Sequence, residues 1–250
     1  FIYKLTRNKQ QTSSTKHSKA PLSAEGLGEV LLLLSFLALT FALILRWIIS
    51  GTIPMSNGYE TMLTVALLVM LISLIMASRF KIVLVFGFLL SGFFLLVSHI
   101  NQMDPAIGQV MPVLNSPLLS IHVSIIMMSY ALLSLTFICG LLGIFMRSHA
   151  AELQALSRVF LYPAITTLGI GIFIGAIWAN VSWGTYWSWD SKETWALITF
   201  MIYAIVLHTQ SLPVFNKPRV YHIYLVLAFL SIIMTYFGVN YFLTGMHSYA

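Results

Sequence analysis

Seven long apolar runs set the limits on what this chain can become. They cover residues 30–49, 59–77, 82–100, 118–146, 159–179, 194–207 and 221–243. A helix needs roughly 20 apolar residues to cross the hydrocarbon core of a bilayer. Only 8% of the 250 residues are charged, against about 25% in a soluble domain. In lipid the backbone must satisfy its own hydrogen bonds, which leaves helices and closed barrels. Barrel strands would alternate apolar and polar residues, and these runs are unbroken. The expectation is an all-α integral membrane protein, a bundle of about seven transmembrane helices.

The net charge of +6 follows topology and does not point to nucleic acid. Lys4, Arg7, Lys9, Lys16 and Lys19 precede the first run. Arg79 and Lys81 join the second to the third, Arg147 and Arg158 flank the link 147–158, and Lys217 and Arg219 join the sixth to the seventh. If the runs alternate in direction, all of these lie on one side, the side that in membrane proteins is cytoplasmic. The N-terminus is then expected inside, with the segment 183–195 and the C-terminus outside. Arg46, near the outer end of the first run, is expected to snorkel to the interface. The link 147–158, which carries His149, reads as an inner amphipathic connection. Residues 1–28 are polar and basic and lack the apolar core of a signal peptide. They read as a cytoplasmic linker or tail ahead of a transmembrane domain over 29–250, and a chain that opens on Phe1 reads as part of a longer polypeptide. The single cysteine, Cys139, allows no intrachain disulfide or Cys-x-x-Cys pair, so any thiol chemistry would need a partner's thiols.

Between the fifth and sixth runs lies Trp183-Gly184-Thr185-Tyr186-Trp187-Ser188-Trp189-Asp190-Ser191-Lys192-Glu193-Thr194-Trp195. Four of the chain's six tryptophans stand in this stretch. An aromatic belt accounts for one or two rings at a span end, but not for this density around a single aspartate. Clustered indoles on an ordered loop offer an apolar slab suited to a large planar ligand. Asp190 reads as the N-cap of the next helix, with Glu193 reaching back in a capping box. Glu60, at the start of the second run, fits the positive end of its helix.

Four histidines bear on a ligand. His122 sits one turn inside the fourth run, and His99 and His247 lie on the same outer side. His208 closes the sixth run, fifteen residues past Glu193, which at ~1.5 Å per residue is about 22 Å of depth. An ionisable residue there is a functional hypothesis by default. Neutral imidazole ligates haem iron, and haem is flat and apolar. Zinc would want three or four ligands in a tetrahedral array and gain nothing from indoles. On residue types alone the indoles favour haem, and both ligands stay open.

The stretch Trp183–Trp195 resembles the WWD signature of the haem-handling cytochrome c biogenesis proteins. Within that superfamily the chain is most similar to the CcsA family of the system II pathway. Gly245-Met246-His247-Ser248-Tyr249-Ala250, the His122 segment through Ser129-Tyr130-Ala131, and Ser56-Asn57-Gly58-Tyr59-Glu60 carry the same likeness. The family usually has Pro after the WWD aspartate, where this chain has Ser191; both suit a first helical position.

The resemblance implies haem b as the cofactor, held at an external site by His122 and His247 on iron and by Trp183, Trp187, Trp189 and Asp190 around the macrocycle. It implies an inner haem site at His208, whose partner histidine comes from a CcsB (ResB-like) membrane subunit or fused half. The expected activity is haem export and presentation to the Cys-x-x-Cys-His of apocytochrome c, as part of a cytochrome c haem lyase. The expected location is the bacterial cytoplasmic membrane, or the thylakoid membrane in a plastid. His17, His99, His149 and His222 are expected to play no part in iron ligation. Two alternatives stand beside this reading: a CcmC-like haem chaperone without attachment activity, and a solute or proton transporter relaying through His122, His208 and His247.

Overall fold

Each apolar run folds as a helix, and local capping chemistry marks several of the boundaries. The computed structural model describes residues 24–55, 57–99, 105–107 and 116–243. The helices are α1 (Ala24–Ser50), α2 (Gly58–Ala77), α3 (Ile82–Ser98), α4 (Pro117–Phe145), α5 (Ala150–Trp183), α6 (Ser191–Ile205) and α7 (Pro218–Phe242). Among the described residues there is no strand. The side chain of Asn57 accepts from the Glu60 amide at 2.9 Å and opens α2, a standard N-cap. Pro117 and Pro218 occupy the first positions of α4 and α7, where a missing N–H costs nothing.

Five of these helices, α1, α2, α4, α5 and α7, are long and apolar enough to cross a membrane. The apolar helix α3 is shorter, at 17 residues. Helix α6 has 15 residues, about 22 Å of rise. The chain is an all-α membrane protein.

The course of the helices departs from the sequence reading in four places. Helix α1 starts at Ala24, inside the stretch 1–28 expected as a linker. The link 147–158 is largely helical: only Arg147–His149 form a tight turn, and α5 runs unbroken from Ala150. The reason is burial, since Leu153, Leu156 and Phe160 recur at helical spacing and pack into the core. The buried Gln154 amide also donates to the Phe215 carbonyl at 2.8 Å. Helix α6 ends at Ile205, so His208 lies in the following turn. Finally, α7 widens into a π-helical turn over Met234–Gly238.

Helix α4 forms the centre of the bundle. It packs most extensively on α5 and also on α7 and α2, while α2 pairs with α3. Leu133, Leu135 and Cys139 of α4 are fully buried in the same core cluster as Phe160, Leu161, Leu168 and Leu225. Helix α1 is peripheral, and most of its leucines and isoleucines stay exposed. In a bilayer such a face meets lipid tails.

Polar side chains tie the helices together at both ends of the bundle. At one end, the fully buried His222 of α7 donates from Nε2 to the Ala150 carbonyl at 2.8 Å. Its ring lies where a side chain on Gly143 would stand, so His222 latches α7 to the α4–α5 turn. At the other end, Arg46 of α1 turns inward instead of snorkelling. Its guanidinium meets the Glu60 carboxylate of α2 at 2.9 Å, donates to the Pro105 carbonyl at 2.9 Å and lies over the Tyr59 ring. Glu60 is 3% exposed, so it does more than face a helix dipole.

Candidate functional site at the tryptophan loop

The tryptophan segment sits at the Arg46–Glu60 end of the bundle. Helix α5 stops because Gly184 takes a left-handed conformation (φ 79°), its amide donating to the Asn180 carbonyl at 2.9 Å. A Cβ there would be strained. Trp183 stands in the last turn, half-buried, and meets the buried Trp178 edge-on with ring centroids 4.8 Å apart. Trp187 and Trp189 cross almost perpendicularly at 5.8 Å. The Trp187 indole N–H is buried and has no acceptor among the described residues. Trp189 is 71% exposed.

Trp189 also holds the chain's only left-handed non-glycine backbone among the described residues, with φ 58°. Such a conformation is costly for a bulky residue and persists only where its surroundings enforce it. Here Glu193 does so. One carboxylate oxygen, Oε2, accepts from the Ser188 amide at 2.9 Å and from the Asp190 amide at 3.2 Å. The two amides flank Trp189, so a single side chain clamps the backbone on both sides of it. Asp190 completes the capping box and starts α6. The sequence marks Glu193 as a cap; its grip on Trp189 appears only in the folded loop.

This clamp makes a prediction. Glu193→Ala should cost about 1 kcal/mol of helix-start stability and release Trp189 from its left-handed state. Limited proteolysis should then cut within 184–190, with the bundle's helicity unchanged. An uncut loop would show that Glu193 is not what holds it.

His122 approaches from α4. Its Nδ1 donates to the Gly171 carbonyl of α5 at 2.8 Å. A carbonyl only accepts, so Nδ1 carries the proton and the ring's lone pair is on Nε2. The ring lies against Gly175, eight residues before Trp183 on α5, about 12 Å along the axis. His122 and the loop therefore share one end of the bundle. His208 does not join them: it is exposed beyond the far end of α6, its amide donating to the Ile205 carbonyl at 3.1 Å. His247 lies outside the described residues, as does the whole stretch 244–250.

The remaining histidines have separate surroundings. His99 is exposed at the end of α3 and touches the Tyr59 ring edge-on at 6.1 Å. His149 is exposed in the α4–α5 turn beside Ser148. Among the described residues, no group of three His, Cys, Asp or Glu side chains gathers to hold a metal ion.

The tryptophan loop is tied into the bundle from below. The Thr235 hydroxyl of the π turn meets the Thr199 hydroxyl at 2.9 Å and donates to the Trp195 carbonyl at 3.2 Å. Its neighbour Tyr236 hydrogen-bonds Thr61 of α2. The π turn thus joins α7 to both α2 and α6, at the end that carries the site. Single π turns of this kind often mark functional regions, and no sequence pattern flagged this one.

Comparison with known proteins fixes the family. The sequence pattern of the family described as "Cytochrome C assembly protein" matches residues 55–247. The cytochrome c biogenesis protein CcsA of Chlamydomonas reinhardtii is 32% identical, covering 91% of this chain and 69% of its own length. The chain belongs to the CcsA family. CcsA of Prochlorococcus marinus (strain MIT 9301) is 30% identical over 85% of this chain and 81% of its own length. Protein NrfI of Wolinella succinogenes is 38% identical over 84% of this chain, but the chain spans only 25% of NrfI. Membership places the chain in cytochrome c maturation and ties the bundle to a membrane, as its helices require. The matched region of this CcsA-family chain includes His122, the tryptophan loop, His208 and His247.

Proposed function

We propose that the chain exports haem b and presents it, as substrate, for covalent attachment to apocytochrome c. The observation that carries this reading is the loop's construction. A loop clamped by Glu193 holds exposed indole surface in place at the end of the bundle where His122 has its Nε2 lone pair defined. Trp183, Trp187, Trp189 and Asp190 would flank the macrocycle, and His122 and His247 would take the iron. The buried Trp187 N–H would then find its acceptor in the bound ligand.

In this reading the seven helices all cross the membrane, with the N-terminus inside and the loop and C-terminus outside. The membrane is the bacterial cytoplasmic membrane, or the thylakoid membrane in a plastid. His208, at the far end of α6 and exposed, serves a separate inner haem position. Its second imidazole comes from a CcsB (ResB-like) subunit or fused half. The match to a quarter of the longer NrfI supports an assembly larger than this chain. The apocytochrome's Cys-x-x-Cys-His supplies two thiols. Each S–H adds across a vinyl group of the substrate, forming one C–S and one C–H bond with no leaving group. The chain's own work is to hold, orient and exclude water, as an enzyme part of a cytochrome c haem lyase.

A relay for protons or solutes is less well supported. His122 and His208 are at opposite ends, and the buried carboxylate of Glu60 is engaged by Arg46.

The test is the visible spectrum of the protein purified in detergent together with its ResB-like partner. A low-spin, bis-imidazole haem that passes to a Cys-x-x-Cys-His peptide is expected. Haem that binds but never transfers would favour a CcmC-like chaperone, and no haem at all would overturn the reading. His208→Ala should lower haem at the external site by starving it, leaving the spectrum of what remains unchanged. Normal filling in that variant, with the partner present, would remove the inner site.

A further inference from the structure

We infer that Gly171 and Gly175 form a seat that sets the ring orientation and tautomer of His122, and with them the atom, Nε2, that it offers to iron. The inference rests on the haem reading of His122 above.

Two pairs of residues, each one helical turn apart, meet across the α4–α5 interface. A Cβ on Gly175 would stand 2.6 Å from His122 Cε1 and 2.8 Å from its Nδ1. A Cβ on Gly171 would stand 2.6 Å from Ile126 Cδ1. His122 and Ile126 are four residues apart on α4, and Gly171 and Gly175 four apart on α5, so each pair lies on one helix face. Small residues at this spacing let membrane helices approach closely.

The closeness is what brings His122 Nδ1 within 2.8 Å of the Gly171 carbonyl. That carbonyl lies inside α5 and has a second lone pair to give. Farther along, the Ser129 hydroxyl donates to the Ala164 carbonyl at 2.9 Å, so the same interface is pinned twice by side chains of α4 on backbone of α5.

A ligating histidine gains basicity and a fixed orientation from a carbonyl that accepts its other N–H, and loss of such a partner typically weakens ligation about 10–100-fold. With Nδ1–H committed, only Nε2 can face iron. Gly175 leaves room for the Cε1 edge of the ring against α5; any larger residue would push the ring off the carbonyl. Gly171 and Gly175 are positioning residues and touch no ligand in this account.

The direct test is nitrogen-15 NMR of histidine-labelled, haem-free protein, with His122 assigned by the signal lost in His122→Gln. The Nδ1–H tautomer is expected in the wild type, and Gly175→Ala should abolish that preference. In haem-loaded protein, Gly175→Ala should loosen the His122 ligand about tenfold, seen as conversion from six-coordinate low spin toward five-coordinate high spin. Gly92→Ala is the control, since a Cβ there meets nothing within 4 Å. An Nε2–H tautomer in the wild type overturns the proposal. The expected tautomers with a haem spectrum indifferent to both His122→Ala and Gly175→Ala would uphold the seat and overturn the haem reading. If Gly175→Ala alone does not fold, adding His122→Ala should restore folding by removing the clash. Failure to fold in both backgrounds would overturn the seat.

Discussion

His122→Ala should strip the external site of stable haem and bring cytochrome c maturation to background, a loss of more than about tenfold. The variant is expected to keep its fold, because His122 is only half-buried and lies near one end of α4. Free imidazole added to the medium should enter the space the ring vacates and restore part of both haem retention and maturation. His247→Ala should behave likewise from the chain's other external position. The readouts are haem content, the low-spin spectrum and yield of holocytochrome, compared at equal protein level. Wild-type values for all three in both variants would show that neither imidazole takes the iron.

Glu60→Ala should be the most destabilising single change at the site end of the bundle. It leaves the Arg46 guanidinium without its carboxylate at a position where the Arg46 side chain is 15% exposed. Breaking a buried ion pair by removing one partner costs about 3–5 kcal/mol, because the remaining charge is uncompensated. The loss would spread. Arg46 also holds the Pro105 carbonyl and covers Tyr59, and α2 carries the Thr61 partner of Tyr236. A large drop in detergent thermal stability is expected, with much of it recovered in Arg46→Met/Glu60→Met, which removes both charges and keeps volume. Equal damage in single and double variants would mean that shape, not charge, governs this contact.

Much of the architecture was legible in the residues. Lengths of apolar runs gave helices because lipid leaves the backbone no other partner. Asp190 and Glu193 announced where α6 begins, because capping is local chemistry. The WWD pattern named the family that the comparisons then established.

The tertiary structure decided what local signals cannot carry. Arg46 and Glu60 are fourteen residues apart, and only the packing of α1 on α2 turns a snorkelling arginine into half of a buried ion pair. The stretch 147–158 is amphipathic either as a surface link or as the first turns of α5, and burial of Leu153, Leu156 and Phe160 chose the helix. His222 gave no sign of being a latch, since its partner is a backbone carbonyl seventy-two residues away. The same holds for His122: a sequence shows an imidazole, but which of its nitrogens keeps a lone pair depends on the backbone that a neighbouring helix brings against it.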